Sequence, residues 1–279
     1  MSRTKMRARR GQKGPAKISE RRKNQVAPSE RANNPLTPNE CGKKRKLDES
    51  DGIETCSPSK RTALDTKREE IPTLEAVVDP ALLADHFAKF IRKWFSKSSP
   101  MELEDRYLPA KAFLDTTSYE KDRVAANLPD FLVRFSADGK DHLSTCDQVA
   151  TPHTLVLTVS GIRTADLMRQ LRVFKTQDAK VGKFIAKHMK LEMNVEFLQK
   201  NKVGIAIGTP ERMYQLLEVG AMKTGGLQRI VVDGSYQDEK KNTIFMIGQI
   251  FQPMVALLND DSIRQRYRIE QNKIDILVF

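Results

Sequence analysis

Cysteine is scarce in this chain of 279 residues. Cys41, Cys56 and Cys146 are widely spaced and form no CxxC pair, so neither a disulfide framework nor a zinc site is supported, and a reducing nuclear or cytosolic setting is expected. His86, His142, His153 and His188 lie far apart and make no HxxxH or HExxH pattern; no metal site is expected. Long apolar runs are missing as well. Nothing approaches the roughly eighteen residues of a membrane span, and no apolar stretch follows the charged N-terminus, so a soluble, unsecreted protein with no membrane partner is expected. Hydrophobic content is 39%, low for one globular unit, and implies that part of the chain is unfolded.

What is present is positive charge, unevenly placed. The net charge is +12, which favours an acidic polymer as partner, nucleic acid before anionic membrane. Residues 1–70 hold 19 Lys and Arg against 10 Asp and Glu, while the remainder holds 29 against 26. The first 70 residues also lack aromatics and apolar periodicity. They are predicted to be a disordered basic tail, because too little apolar surface is available to offset the entropy of ordering. Within it Lys43, Lys44, Arg45 and Lys46 form a compact cluster that reads as a nuclear localisation signal for an import receptor. Ser57-Pro58-Ser59-Lys60 has the form of a proline-directed kinase site.

Residues 71–279 carry the fold. Three short apolar runs, Leu155 to Val159, Val203 to Ile207 and Ile230 to Val232, have the pattern of strands buried on both faces of a parallel sheet. The first two run into helical spacing at Leu167, Leu171 and Phe174 and at Met213, Leu216 and Leu217. Strand, turn and helix in repetition predict an α/β domain with one parallel sheet, whose working loops lie at the carboxyl ends of the strands. Those loops are 160–164, 208–212 and 233–236. A helix is predicted from Asp79 and Pro80, carrying the single Trp94. Short helices and irregular chain are expected over residues 100–150. Another helix is expected from Asp178 with Val181, Phe184, Ile185 and Met189 inward, leaving Lys180, Lys183, Lys187 and Lys190 as a solvated face or an RNA contact. Thr209 and Pro210 start a helix that Gly220 ends, Ile244 to Leu258 form one with Pro253 as a bend or stop, and the run from Lys273 to Phe279 reads as the last strand.

The three loops resemble those of the first RecA-like domain of the DEAD-box RNA helicases, which carry an arginine in a PTREL loop, a TPGR loop and the DEAD tetrapeptide. Arg163 falls at the first arginine; Thr209, Pro210 and Arg212 match the second loop; Asp233 matches the first aspartate of the third. The resemblance implies that Arg163, Thr209, Pro210 and Arg212 meet the RNA sugar-phosphate backbone. Chemically, Arg163 could fork onto a phosphate, and a helix start at Thr209 offers N–H groups to an anion; a plain structural helix start fits Thr209 and Pro210 equally. Two departures matter: Gly234 stands where a water-orienting glutamate would be, and Glu211 stands where the family has glycine.

Nucleotide hydrolysis in such a fold needs a phosphate cradle, a lysine, a metal-holding carboxylate and a group that places water. No GxxxxGK[ST] occurs, and the segment before Leu155, where the cradle would be sought, reads DHLSTCDQVATPH. Asp233 is expected to cap the turn that follows it. No catalytic residue, cofactor, small-molecule substrate or second RecA-like domain is expected. The blocks LPAKAF, HTLVLTVSGIRTADLMRQL, GTPERM and VVDGSY are together similar to the eukaryotic Cms1-type pre-ribosomal subunit family of the small-subunit processome. That resemblance implies nuclear and nucleolar residence, pre-ribosomal RNA and processome proteins as partners, and a non-enzymatic docking role in small ribosomal subunit biogenesis. A diverged ATP-dependent RNA helicase and a nuclear nucleic-acid-binding regulator are the alternatives.

Overall fold

The computed structural model describes residues 79–187 and 189–279. The basic tail with Lys43, Lys44, Arg45 and Lys46, the kinase-type site and His188 lie outside them. Five parallel strands, β1 (Thr154–Leu157), β2 (Lys180–Phe184), β3 (Val203–Gly208), β4 (Arg229–Val232) and β5 (Asp275–Val278), form one sheet in the order β2-β3-β1-β4-β5. The three central strands are buried at every residue, which is why each reads as a continuous apolar run.

Alternate residues face opposite layers. Leu155, Leu157, Ile230, Val232, Ile276 and Val278 share one core with α1 (Pro80–Trp94), α7 (Pro210–Glu218) and α8 (Gly248–Leu258). Val156, Ile205, Ile207, Val231 and Leu277 share the other with α3 (Leu128–Arg134) and α5 (Gly161–Leu171). The short α2 (Pro100–Arg106), α4 (Gly139–Leu143), α6 (Leu191–Lys200) and α9 (Asp261–Arg264) complete the helices. Because α5 leaves β1 on one face while α7 and α8 leave β3 and β4 on the other, the connections reverse around the carboxyl end of β1. Open parallel sheets form their crevices at such switch points.

Local chemistry sets the boundaries. Asp79 Oδ1 accepts from the N–H groups of Ala81 and Leu82 at 2.8 and 3.2 Å and starts α1. Gly220 follows α7 with φ +66°, where a side chain would be strained, and lets the N–H groups of Ala221 and Met222 both reach the Leu216 carbonyl at 3.0 Å. Pro253 does not stop its helix: α8 runs on to Leu258, and begins at Gly248 rather than Ile244. Gln249, whose carbonyl loses its helical partner to the proline, is exposed to water.

One expected helix is a strand. The segment after Asp178 forms β2 at the sheet edge. Val181 faces one core and Phe184 the other, because residues three apart lie on opposite faces of a strand, whereas in a helix they would share one face. Gly182 between them disfavours a helix, and the free edge of β3 supplies the backbone partners. Lys180 and Lys183 therefore sit on an edge strand, a common protection against unwanted pairing, and Lys187 and Lys190 lie beyond its carboxyl end.

Candidate functional site

Ser160 opens the first loop and caps α5, its Oγ accepting from Arg163 N–H at 3.2 Å. Behind it Thr158 and Thr164 join their hydroxyls at 2.7 Å, and Thr164 Oγ1 also donates to the Ser160 carbonyl at 2.8 Å. These bonds fix the first turn of α5, which carries Arg163 inward. The Arg163 fork closes on Asp233: Nε donates to Oδ2 at 2.7 Å and Nη2 to Oδ1 at 2.8 Å. Arg163 is 7% exposed and Asp233 1%. The Tyr236 ring covers the guanidinium, its centroid 4.5 Å from Cζ. Burial pushes the Asp233 carboxyl up from the usual aspartate range, and the Arg163 fork pulls against it. Asp233 therefore faces back across β1 to the first loop, where sequence reading expected it to cap the following turn.

The second loop is held by close packing. A Cβ on Gly208 would lie 2.1 Å from the Phe184 carbonyl oxygen, and Thr209 N–H donates to that oxygen at 3.3 Å. Thr209 is the residue before α7 with Pro210 at its first position, but its side chain makes no capping hydrogen bond. Arg212 is 6% exposed; its Nη1 donates to Asn194 Oδ1 at 3.0 Å and its Nε has no partner among the described residues. The structure thus brings Arg163 to Asp233 and Arg212 to α6, and leaves Thr209 half-buried at the surface.

Between these loops lies a cleft of about 180 Å³ lined by Gly161, Ile185, Lys187, Thr209, Pro210, Glu211, Gln249 and Ile250. The first residues of α5, α7 and α8 all border it, and no side chain caps α7 or α8. Unpaired N–H groups at helix starts favour anions. Lys187 is the cation on its wall and Glu211 the opposing charge, both exposed. Sequence reading missed Lys187 and the start of α8 as members of this cleft, because both belong to segments whose secondary structure or boundary it placed differently.

The other end of the third loop is plugged. Phe113 makes a single parallel bridge to Ile276 beside β5, and Leu114 N–H donates to the Ile276 carbonyl at 2.9 Å. The chain then turns through residues 115–127 into α3. Arg123 from the turn donates to the Val278 carbonyl and, at 3.1 Å, to Thr116 Oγ1, and Ser235 Oγ donates to the Arg123 carbonyl at 3.0 Å. A guanidinium, bound to the sheet itself, fills this corner.

Among the described residues no group of three or more His, Cys, Asp or Glu side chains could hold a metal ion, and no helix is long and apolar enough to cross a membrane. At the opposite, amino edge of the sheet a cavity of about 600 Å³ is lined by His142, Cys146, Gln148, His153, Gly226 and Gln228, among others.

Comparison with known proteins bears on the whole chain. A solved DEAD box protein from the hyperthermophile Methanococcus jannaschii superposes with a TM-score of 0.33 at 10% identity, covering 55% of this chain and 35% of that one. Protein CMS1 of Chaetomium thermophilum is 40% identical over 204 residues, which is 73% of this chain and 81% of that protein. Protein cms1 of Schizosaccharomyces pombe is 26% identical over 198 residues, 71% of this chain and 70% of that protein. Protein CMSS1 of Danio rerio is 30% identical over 166 residues, 60% of this chain and 55% of that protein. The family model described as CMS1, U3-containing 90S pre-ribosomal complex subunit, matches residues 19–279. With the parallel α/β sheet and the three strand-end loops in place, the chain belongs to that family of 90S pre-ribosomal complex subunits.

Proposed function

We propose that this protein serves ribosome biogenesis without enzymatic activity, its folded domain acting as a fixed docking platform in the nucleolar pre-ribosomal particle. The observation that carries this reading is the buried Arg163–Asp233 pair. An aspartate that is 1% exposed and held by a bidentate guanidinium is not offered to a metal-bound nucleotide, and Gly234 supplies nothing to orient water. The same pair ties the first loop to the third, a link that opposes the opening of this edge.

RNA contact on this platform falls to the cleft. Thr209, the N–H groups that follow Pro210, the start of α8 and Lys187 can meet a phosphate backbone without reading bases. Arg163 and Arg212 support that surface from behind, since each is already engaged by Asp233 or Asn194. The basic tail adds diffuse phosphate attraction, and Lys43, Lys44, Arg45 and Lys46 engage an import receptor.

The test is direct. Full-length protein, with and without RNA, is expected to show no ATP turnover above a buffer blank; RNA-stimulated turnover abolished by Asp233→Ala would overturn the reading. Purification of a tagged copy is expected to bring down pre-ribosomal RNA and processome proteins. Replacing the four residues 43–46 by Ala is expected to shift the copy from nucleus to cytoplasm.

A further inference from the structure

The end of α1 and the end of α2 form a surface that neither the strand-end loops nor the family description accounts for. Residues 86–101 contain Lys89, Arg92, Lys93 and Lys97 and no acidic residue. Arg92, Lys93 and Lys97 are exposed, and Trp94, Phe95 and Tyr107 beside them are half-buried. Three cations are set against aromatic planes: Lys93 Nζ lies 5.0 Å from the Trp94 ring centroid, Arg106 Cζ 4.9 Å from Phe95 and Arg92 Cζ 5.9 Å from Tyr107. The Arg92 and Arg106 pairs cross between the two helix ends and so fix them together.

This surface is continuous with the cleft. The Trp94 ring packs on Gly248, where a Cβ would come within 2.6 Å of it, and Trp94 Nε1 donates to the Phe245 carbonyl at 2.8 Å. Gly248 begins α8, and the next two residues, Gln249 and Ile250, line the cleft. Its acidic neighbours are on α2: Glu102, whose carboxylate accepts from Ser99 N–H at 2.7 Å, and the exposed Glu104 and Asp105.

We propose that the Arg92-Lys93-Trp94-Phe95-Lys97 surface, with Arg106 and Tyr107, binds single-stranded RNA by stacking bases on its aromatic and guanidinium planes while the lysines meet phosphate. Cations interleaved with surface aromatic rings suit a chain that presents both a π-face and a negative charge at every residue. An acidic peptide would use the charge and leave the rings idle. The inference rests on the docking reading above and assigns it a base-stacking extension beyond the cleft.

Trp94 is the single tryptophan of the chain, so its emission reports this surface alone. In full-length protein, titration with a mixed-sequence single-stranded RNA of about twelve nucleotides is expected to quench it. The same sequence as a blunt duplex, whose bases are already stacked, is expected to quench far less. The triple variant Arg92→Gln, Lys93→Gln, Lys97→Gln changes exposed side chains only; it is expected to lower affinity roughly tenfold and to reduce the salt slope by about two. Phe95→Leu, which keeps an apolar group under Arg106, is expected to weaken binding with the salt slope unchanged. If RNA binds with Trp94 emission and the triple variant both unaffected while Lys187→Gln weakens binding, the surface is not used and the docking reading stands. If binding is lost only on removal of residues 1–70, both fail. Equal quenching by a poly-glutamate peptide would assign the surface to an acidic protein segment and overturn the RNA proposal.

Discussion

Arg163 at the carboxyl edge of the sheet and Arg229 at its amino edge are buried to almost the same degree, 7% and 6% exposed, but their surroundings differ. Arg163 faces a carboxylate squarely. Arg229 donates instead to neutral oxygens, Ser136 Oγ at 3.1 Å and Gln228 Oε1 at 3.2 Å, while Asp275 nearby takes Lys273 at 2.6 Å. Two histidines stand at the amino edge: His142 and His153 lie 5.0 Å apart by ring centroid, and the Nε2 of each has no partner among the described residues. Burial, followed by the neighbouring His142 and Arg229, pushes His153 down to about 3. One edge is thus locked by a charge pair, whereas at the other a buried guanidinium meets neutral oxygens. A buried pair adds little net stability over apolar residues of the same shape, but breaking it is costly; its value here is the fixed relation of two loops.

The largest effect should come from removing half of the lock. Asp233→Ala leaves the Arg163 guanidinium buried and unpaired and is expected to cost about 3–5 kcal/mol, with Arg163→Met/Asp233→Leu recovering most of that loss. Urea midpoints measure both. Arg229→Met should cost less, about 1–2 kcal/mol, since only neutral partners are abandoned. Equal losses at the two edges would erase the distinction.

Acid should act first on the neutral histidines. His153 is held near 3, and burial and Lys89 hold His86 near 4, whereas either imidazole in the unfolded chain takes a proton near 6.5. The unfolded state therefore binds more protons between those values. The stability that depends on neutral imidazole is complete above about pH 6.5 and is lost as pH falls toward 4, by on the order of 2–3 kcal/mol for each histidine. Thermal unfolding across that range tests the sign, and His153→Gln should flatten the slope.

A smaller loss, about 2 kcal/mol, is expected for Gly208→Ala, because the atom a methyl would strike is a backbone carbonyl with little room to move. At the amino edge a Cβ on Gly204 meets the His153 ring at 2.8 Å and the Thr145 carbonyl oxygen at 3.1 Å, so Gly204→Ala should cost less because neither approach is as close as that at Gly208. The smallest effects separate the two loop helices. Ser160→Ala removes a working cap and should cost about 1 kcal/mol, whereas Thr209→Ala, at a residue whose side chain caps nothing, should change stability by a few tenths. A Thr209→Ala variant with weaker RNA binding and unchanged stability would support a surface role for Thr209.

Parallel strands buried on both faces announce themselves in order, which is why β1, β3, β4 and β5 were legible from Leu155, Val203, Ile230 and the run to Phe279. A continuous apolar run within one segment was enough, because the central strands are buried on both faces. The same reasoning failed at Lys180–Phe184, where apolar residues three apart satisfy either geometry and the deciding hydrogen bonds come from β3, more than twenty residues on. Of the bend or stop expected at Pro253, the stop is absent: Gln249, whose carbonyl the proline leaves without its helical partner, is at an exposed position, and only the fold decides that.

For the site, sequence by itself determined which residue types stand at the strand ends, Arg163, Thr209, Pro210, Arg212 and Asp233, since strand, turn and helix follow one another locally. What those residues do was decided by tertiary structure. Arg163 and Asp233 are seventy residues apart, and nothing in either loop says that the connections from β1 and β4 leave on opposite faces and so turn the two side chains toward each other. The convergence of three helix starts on one cleft and the seating of Trp94 on Gly248 have the same origin: separate segments meet only when the sheet is ordered, and hydrogen bonds and burial between them carry no local signature.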